Sequence, residues 1–489
     1  MNLWILTEER PKLKVLEVII QRFLADSKRC AFVDNLRILP VVEDSKFTFT
    51  YEIIGVRSEQ IRKIFLEIVS GTSSFVDYLV FFQEHKPTQN DTPLYIIEET
   101  KTDDSESRNT GVYQRITKFV YANFFYPNSQ KIMLYNLKVS QKEKPTQTSI
   151  FGTRILRTLG VEILGKSFKD DSEILKPFSS IKELIDFKSK MRKAPKGNVP
   201  ITIEVCDSKL SDILLPSDDI SIYTPPSKIQ ISARLVKNGR LAHDPNIGAI
   251  SGIAGALRKL GFKGEIEIIS HGLNQAQVGT KNKFIQIVNL LNLSLTGLTI
   301  PKIEIQNISF CKKAYWHYER EGEKIATIFI HLLVENFSSG KAIFENHAGC
   351  EKGYFITSDN EYIALQKYEN RQLYKAGDKN AIVFIPDLIL LDPKNLEIIN
   401  IEGKTYENRH KGIEELKNYD FIENEYIKKY YPTYKVVRSV VLYGGYEDKI
   451  LEIEIGFLLN SEGKMVLGIK APKIFIYSLK NLLDFWKKQ

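Results

Sequence analysis

Hydrophobic positions along this chain follow two rhythms, one at helical spacing and one alternating, and they change places repeatedly. KLKVLEVIIQRFLAD (12–26) repeats apolar side chains every three or four positions and predicts a helix. FTFTYEIIGV (47–56) alternates and predicts a strand. SEQIRKIFLEIVSG (58–71) fits an amphipathic helix, with Ser58 as its N-cap and Gly71 as its stop. SFVDYLVFFQ (74–83) and PLYIIEETKT (93–102) predict two strands, and GVYQRITKFVYANFF (111–125) a helix. Further on, DPNIGAISGIAGALRKLGF (244–262) predicts a helix closed by Gly261, followed by the strand EIEIIS (265–270). The last third repeats the mixture. A helix GEKIATIFIHLLVENF (322–337) precedes strands at AIVFIPDLILL (381–391) and NLEIINIEGK (395–404). A helix KGIEELKNYDFIENEYIKKYY (411–431) and strands YKVVRSVVLY (434–443) and KILEIEIGFLL (449–459) complete it. The class expected is α/β, in a mixed α+β arrangement.

Length turns this series into a domain question. A chain of 489 residues is too long for one core, so two or three domains are expected. The basic Pro- and Gly-containing end of SIKELIDFKSKMRKAPKGN (180–198) marks a boundary near 198. The resulting segments are 1–198, 199–300 and 301–489, with similar strand and helix orders in the two outer ones.

Composition and charge narrow the function. Hydrophobic residues at 43% and charged residues at 26% fit an ordinary globular protein, and no apolar run approaches bilayer length. The start, MNLWILTEERPKLK, lacks a secretory pattern, so a cytoplasmic protein with no membrane partner is expected. Cys30, Cys206, Cys311 and Cys350 form no CxxC pair, and the seven histidines form no HxH or HExxH, so neither structural nor hydrolytic zinc is expected. No P-loop is present, which argues against an ATP-driven translocase. A net charge of +8 suits an anionic partner such as nucleic acid. The basic stretch from Lys188 to Lys196 and the polar segment around His271 are candidate phosphate or DNA contacts, with a solvated surface as the alternative for each.

The chemistry concentrates in IPDLILLDPKNLEIINIEGK (385–404). Charge among buried apolar residues is costly unless it is paired or holds a metal. Glu402 and Lys404 are two apart and share a strand face, and pairing of the two strands would bring Asp387 beside Glu402. Two adjacent carboxylates suit Mg²⁺, and a lysine on the same face can orient a water for attack on a phosphodiester. Other Glu-x-Lys triplets, at 415–417 and 462–464, fall in a helical and a turn-like stretch and lack the apolar strand setting.

Pro386–Asp387 followed by Glu402–Gly403–Lys404 resembles the PD-(D/E)xK nuclease superfamily, over roughly 330–445. The resemblance implies that Asp387 and Glu402 hold Mg²⁺, that Lys404 assists the attacking water, and that the helix around 414–428 lies over the site. Glu415 and Tyr419 stand where many members carry a Gln-xxx-Tyr pattern, with Glu replacing Gln. A looser copy comes earlier. Asp77 sits in one apolar strand, Glu99 and Lys101 end the next, and Glu98 is expected to face away. Val76 replaces the proline. By the same resemblance Asp77 and Glu99 would hold a second Mg²⁺, Lys101 would play the part of Lys404, and Gln114 on the following helix would order the site.

The resemblance therefore implies two nuclease-like domains, each a mixed sheet flanked by helices, around a DNA-reading segment at 199–300. The function expected is a Mg²⁺-dependent type II restriction endonuclease cutting double-stranded DNA with one active site per strand. A cognate methyltransferase would protect host DNA, and the enzyme would be a monomer or homodimer. The alternatives are one active and one degenerate DNA-binding domain, giving a nicking or dimeric enzyme, a nuclease of another system such as DNA repair, and a non-enzymatic DNA-binding protein.

Overall fold

A computed structural model of the chain describes residues 1–26, 31–71, 76–99, 111–135, 147–165, 176–191, 202–206, 213–214, 221–222, 227–237, 240–241, 244–280, 282–303, 318–319, 322–347, 352–366, 384–445, 454 and 456–488. The fold is a mixture of helices and several sheets. The chain divides into two units that are interleaved in sequence. The first comprises 1–70, 81–87 and 318–489, and the second 71–80 and 88–317. This division does not coincide with the expected boundaries near 198 and 300.

In the first unit, one sheet runs in the order Lys341–Glu345, Leu388–Asp392, Glu397–Thr405, Lys435–Tyr443, Phe457–Leu459, Met465–Leu467. The first three strands pair antiparallel, the next two join in parallel, and the last is antiparallel. Side-chain alternation gives each face of Glu397–Thr405 its own covering layer. Ile398 joins Ile389, Leu391, Ile422 and Ile427 in a buried cluster beneath the helical segments that follow residue 409. Ile399 and Ile401 point the other way, toward the helix Glu323–Phe337, which packs on this strand and its neighbours. The parallel step from Glu397–Thr405 to Lys435–Tyr443 needs a crossover, and the helices after residue 409 supply it.

The N-terminal residues belong to this same core. Strand Ala31–Glu43 packs on the helix Glu323–Phe337. Arg37 Nη2 donates to the Asn336 carbonyl at 2.9 Å, and Trp486 Nε1 to the Pro40 carbonyl at 2.7 Å. Phe47 packs on Phe329 at 4.8 Å between centroids. The Phe47 N–H bonds the Gly463 carbonyl at 2.8 Å, and Gly463 has φ +83°. A Cβ there would lie 1.9 Å from the Phe47 carbonyl oxygen, so only glycine fits.

The second unit carries the strands Tyr95–Glu99, Gln130–Tyr135 and Val161–Gly165 in parallel. Residues 78–80 of the strand Tyr78–Gln83 pair antiparallel with the first of these. A four-stranded sheet follows, in the order Thr202–Cys206, Lys228–Arg234, Glu265–His271, Leu293–Leu295. Helix Asp244–Lys259 lies against Gly111–Phe125. The approach is close because Gly252 has no side chain: a Cβ there would meet Ile116 Cγ2 at 2.7 Å.

Two local expectations need correction. Residues 58–71 do not form a helix. Ile64–Ile68 is a strand, parallel to Asn2–Thr7 and antiparallel to Lys46–Ser58. Ile64, Leu66 and Ile68 are all buried, and two strand partners outweigh the local helical spacing. The helix expected over 411–431 is broken into Arg409–Leu416, Asp420–Ile422, a π-helical turn at Glu423–Ile427, and Lys428–Tyr430. Of the strand expected over 449–459, residues 449–453 and 455 lie outside the described residues, and its end forms the strand Phe457–Leu459.

Candidate active site

Asp387 immediately precedes the strand Leu388–Asp392, whose register pairs Leu388 with Ile401. The next step places Asp387 across from Glu402. Backbone bonds fix the approach, since the Asp387 N–H donates to the Ile401 carbonyl at 3.1 Å. Asp387 Oδ2 accepts the Gly403 N–H at 2.9 Å, which holds the carboxylate against the acid-bearing strand. Lys404 Nζ contacts Glu402 Oε1, and it reaches Glu415 Oε2 at 3.0 Å. The Tyr419 hydroxyl donates to Glu402 Oε2. The helix Arg409–Leu416 lies close over Lys404, where a Cβ on Gly412 would meet the lysine Cγ at 3.0 Å. One chain segment thus carries the acids and the ammonium, and the next covers them.

A second layer holds this helical segment to the sheet. Asn400, two residues before Glu402 on the same face, donates to Glu423 Oε1 at 2.8 Å. Arg438 spans Glu423 and Asp420, with Nε–Oε1 at 2.7 Å and Nη2–Oδ1 at 2.5 Å.

The electrostatics reveal a shortage of positive charge. Glu402 is 4% exposed. Burial, then the Asp387 carboxylate and the hydrogen bond with Glu415, raise its pKa above the ordinary carboxylate range despite Lys404. Burial opposes the Lys404 charge, but Glu402, Glu415 and Asp387 outweigh it and keep the ammonium protonated. Three carboxylates therefore surround one cation. A divalent ion between Asp387 and Glu402 would remove that imbalance, and an all-oxygen donor pair suits Mg²⁺.

The second unit repeats the backbone geometry with different side chains. Its register pairs Tyr78 with Ile97, so Asp77 stands across from Glu98. Asp77 Oδ2 accepts the Glu99 N–H at 2.7 Å, as Asp387 accepts that of Gly403. Position by position, Glu98 corresponds to Glu402, Glu99 to Gly403, and Thr100 to Lys404 in sequence. The expectation that Glu99 faces the site and Glu98 turns away is thus reversed. The Glu99 carboxylate accepts from the Tyr78 hydroxyl at 3.2 Å. Glu98, 1% exposed, takes the Asp77 N–H at 3.2 Å and Lys118 Nζ at 2.7 Å, both on Oε1. Arg115 Nε lies 3.6 Å from Glu98 Oε2 and donates to the Glu99 carbonyl at 2.8 Å. Burial raises the Glu98 pKa to about 7, with Asp77 adding to the rise and Lys118 and Arg115 opposing it. Lys101 lies outside the described residues. Gln114 falls within the helix Gly111–Phe125, and its side chain is likewise outside the description.

Sequence spacing does not point to a third cluster, His331, Glu345 and His347, in the first unit. Their ligand atoms lie within 4.8 Å of one another. Glu345-x-His347 is the only local trace of it in the sequence, because His331 comes from the preceding helix.

No family model, no curated protein and no solved structure matches this chain.

Proposed function

We propose that the protein is a Mg²⁺-dependent, sequence-specific endonuclease of double-stranded DNA, of the type II restriction class and similar to PD-(D/E)xK nucleases. The observation that carries this reading is the convergence of Asp387, Glu402 and Lys404 on two paired strands, under a segment that adds Glu415 and Tyr419. In this reading Asp387 and Glu402 hold one Mg²⁺, and Asp77 and Glu98, in place of Glu99, hold another. The ion would neutralise charge building on the scissile phosphate and make bound water more acidic. Lys404 is held protonated, so its Nζ donates to the attacking water or a phosphate oxygen rather than taking a proton. Tyr419 orients the Glu402 carboxylate. In the second site Lys118 does the work of Lys404, and each site cuts one strand. Residues 199–300 contribute to base reading, the net charge of +8 favours DNA, and a cognate methyltransferase protects the host.

A second reading keeps the C-terminal site catalytic and makes the other a DNA clamp. It is favoured by the Glu98 carboxylate already lying between Lys118 and Arg115. Digestion of supercoiled unmethylated plasmid with Mg²⁺ separates the two. If each site cuts one strand, wild type linearises DNA while Lys404→Met and Lys118→Met each only nick it. If the second site is a clamp, Lys404→Met abolishes both cuts. The absence of any cutting across many DNA sequences would overturn the nuclease reading.

A further inference from the structure

We infer that His331, Glu345 and His347 form a second kind of metal site, for a nitrogen-preferring divalent ion of the zinc class, on the sheet face away from Glu402. His331 is in the middle of the helix Glu323–Phe337 and fully buried. Glu345 ends the strand Lys341–Glu345, and His347 is two residues beyond it. His331 Nδ1 lies 2.9 Å from His347 Nε2 and 3.5 Å from Glu345 Oε2. Tetrahedral ligands around zinc stand about 3.3 Å apart, both His331 distances are close to that, and all three ligand atoms lie within 4.8 Å of one another.

A carboxylate lies near the outer nitrogen of one histidine. Glu335 Oε1 is 3.0 Å from His331 Nε2, close enough for an ion pair but not aligned as a hydrogen bond. A small turn of that carboxylate would let it accept the Nε2 proton and direct the Nδ1 lone pair at the ion. Arg10 grips Glu345 through Nε–Oε2 at 2.9 Å and Nη2–Oε1 at 3.1 Å, with its Nη1 3.6 Å from Glu335. Each carboxylate oxygen has two acceptor positions, so the Arg10 bonds and a metal bond are compatible on Glu345. Arg10 and Lys324 offset the two glutamates, so the charges around the imidazoles are close to balanced. Two imidazoles and one carboxylate are a borderline-soft donor set, which favours zinc over Mg²⁺.

The ion would tie helix to strand end at a sensitive place. The residue between Glu345 and His347 is Asn346, whose N–H donates to the Asp387 carbonyl at 2.7 Å. A metal at the triad would brace the backbone that carries Asp387.

Full-length protein stripped with chelator and dialysed against Zn²⁺ or Co²⁺ tests the inference without any nuclease assay. Wild type should retain one equivalent of Zn²⁺, show the intense visible bands of tetrahedral Co²⁺, and unfold at a higher temperature with Zn²⁺ than without. His347→Ala should weaken binding by about a hundredfold or more and lose the bands, and Glu335→Gln should weaken it by about 10–100-fold. Asp387→Asn should leave Zn²⁺ binding unchanged. If His347→Ala does not fold, by circular dichroism, Glu335→Gln alone decides. Wild type that holds no Zn²⁺ overturns the inference, as does binding that survives these substitutions or disappears with Asp387→Asn. None of these outcomes depends on whether the protein cuts DNA.

Discussion

In the C-terminal acidic site the ammonium rides on the same strand as the acid, with Lys404 two residues past Glu402. In the other site the ammonium on Glu98 is Lys118, twenty residues away on a helix. The acids are constrained alike in both. Each aspartate opens a strand and accepts the N–H of the residue after the facing glutamate. The difference shows which parts of such a site strand geometry dictates and which it leaves free. Paired carboxylates need a fixed register, because one step of slippage sends a side chain to the opposite face. A flexible four-carbon lysine needs only an anchor within reach.

The sharpest way to break this comparison is to remove an acid or ammonium from the C-terminal site. Asp387→Asn and Lys404→Met should each slow cleavage of one strand by about 100- to 10,000-fold, read as nicked plasmid replacing linear product. Unchanged linear product would remove this site from the chemistry. Next in size is Lys118→Met, expected to cost about 100-fold on the other strand, whereas Lys101→Ala should change the rate only a few-fold. If Lys101→Ala is the more damaging of the two, the correspondence of Lys118 with Lys404 fails.

A smaller effect concerns pH and stability without metal. Burial pushes the Glu98 carboxyl up to about 7, above the 4.5 of an exposed glutamate, so the native state holds this proton more tightly than the unfolded chain. Stability should therefore fall as pH rises from about 4.5 to about 7 and level off above that, a loss on the order of 1–3 kcal/mol from this group. Denaturant titrations in chelator should show a flatter profile for Glu98→Gln. An identical slope in both proteins would mean that Glu98 is ionised throughout. Smallest of all is Glu415→Gln. Its carboxylate is partly exposed and shares Lys404 with Glu402, so cleavage should change by less than about tenfold.

The strands and helices that carry the candidate sites were legible because their periodicity is clean. The helix expected over 111–125 matches the observed one end to end, and the pairing of Asp387 with Glu402 followed from two apolar runs joined by a short turn. The misses share a cause in long-range partners. Ile61, Ile64 and Ile68 fit helical spacing while Ile64, Leu66 and Ile68 fit alternation, and pairing to Asn2–Thr7 decides between them. Alternation showed that Glu98 and Glu99 face opposite ways but not which one faces Asp77, which depends on the register with Tyr78. Lys118 and His331 reach their clusters from helices, so no spacing rule within one element could name them.

The interleaving of the chain also bears on how it is made. The unit that holds Asp387 draws its core from residues 1–70 and from 318–489. During synthesis the first part must wait for about 250 residues to follow, tens of seconds at about 5–20 residues per second. Until then the strand Ala31–Glu43 lacks the helix it packs on, and Phe47 lacks Phe329. A chain that stops short of residue 318 therefore leaves the segment 1–70 without the partner that its core requires.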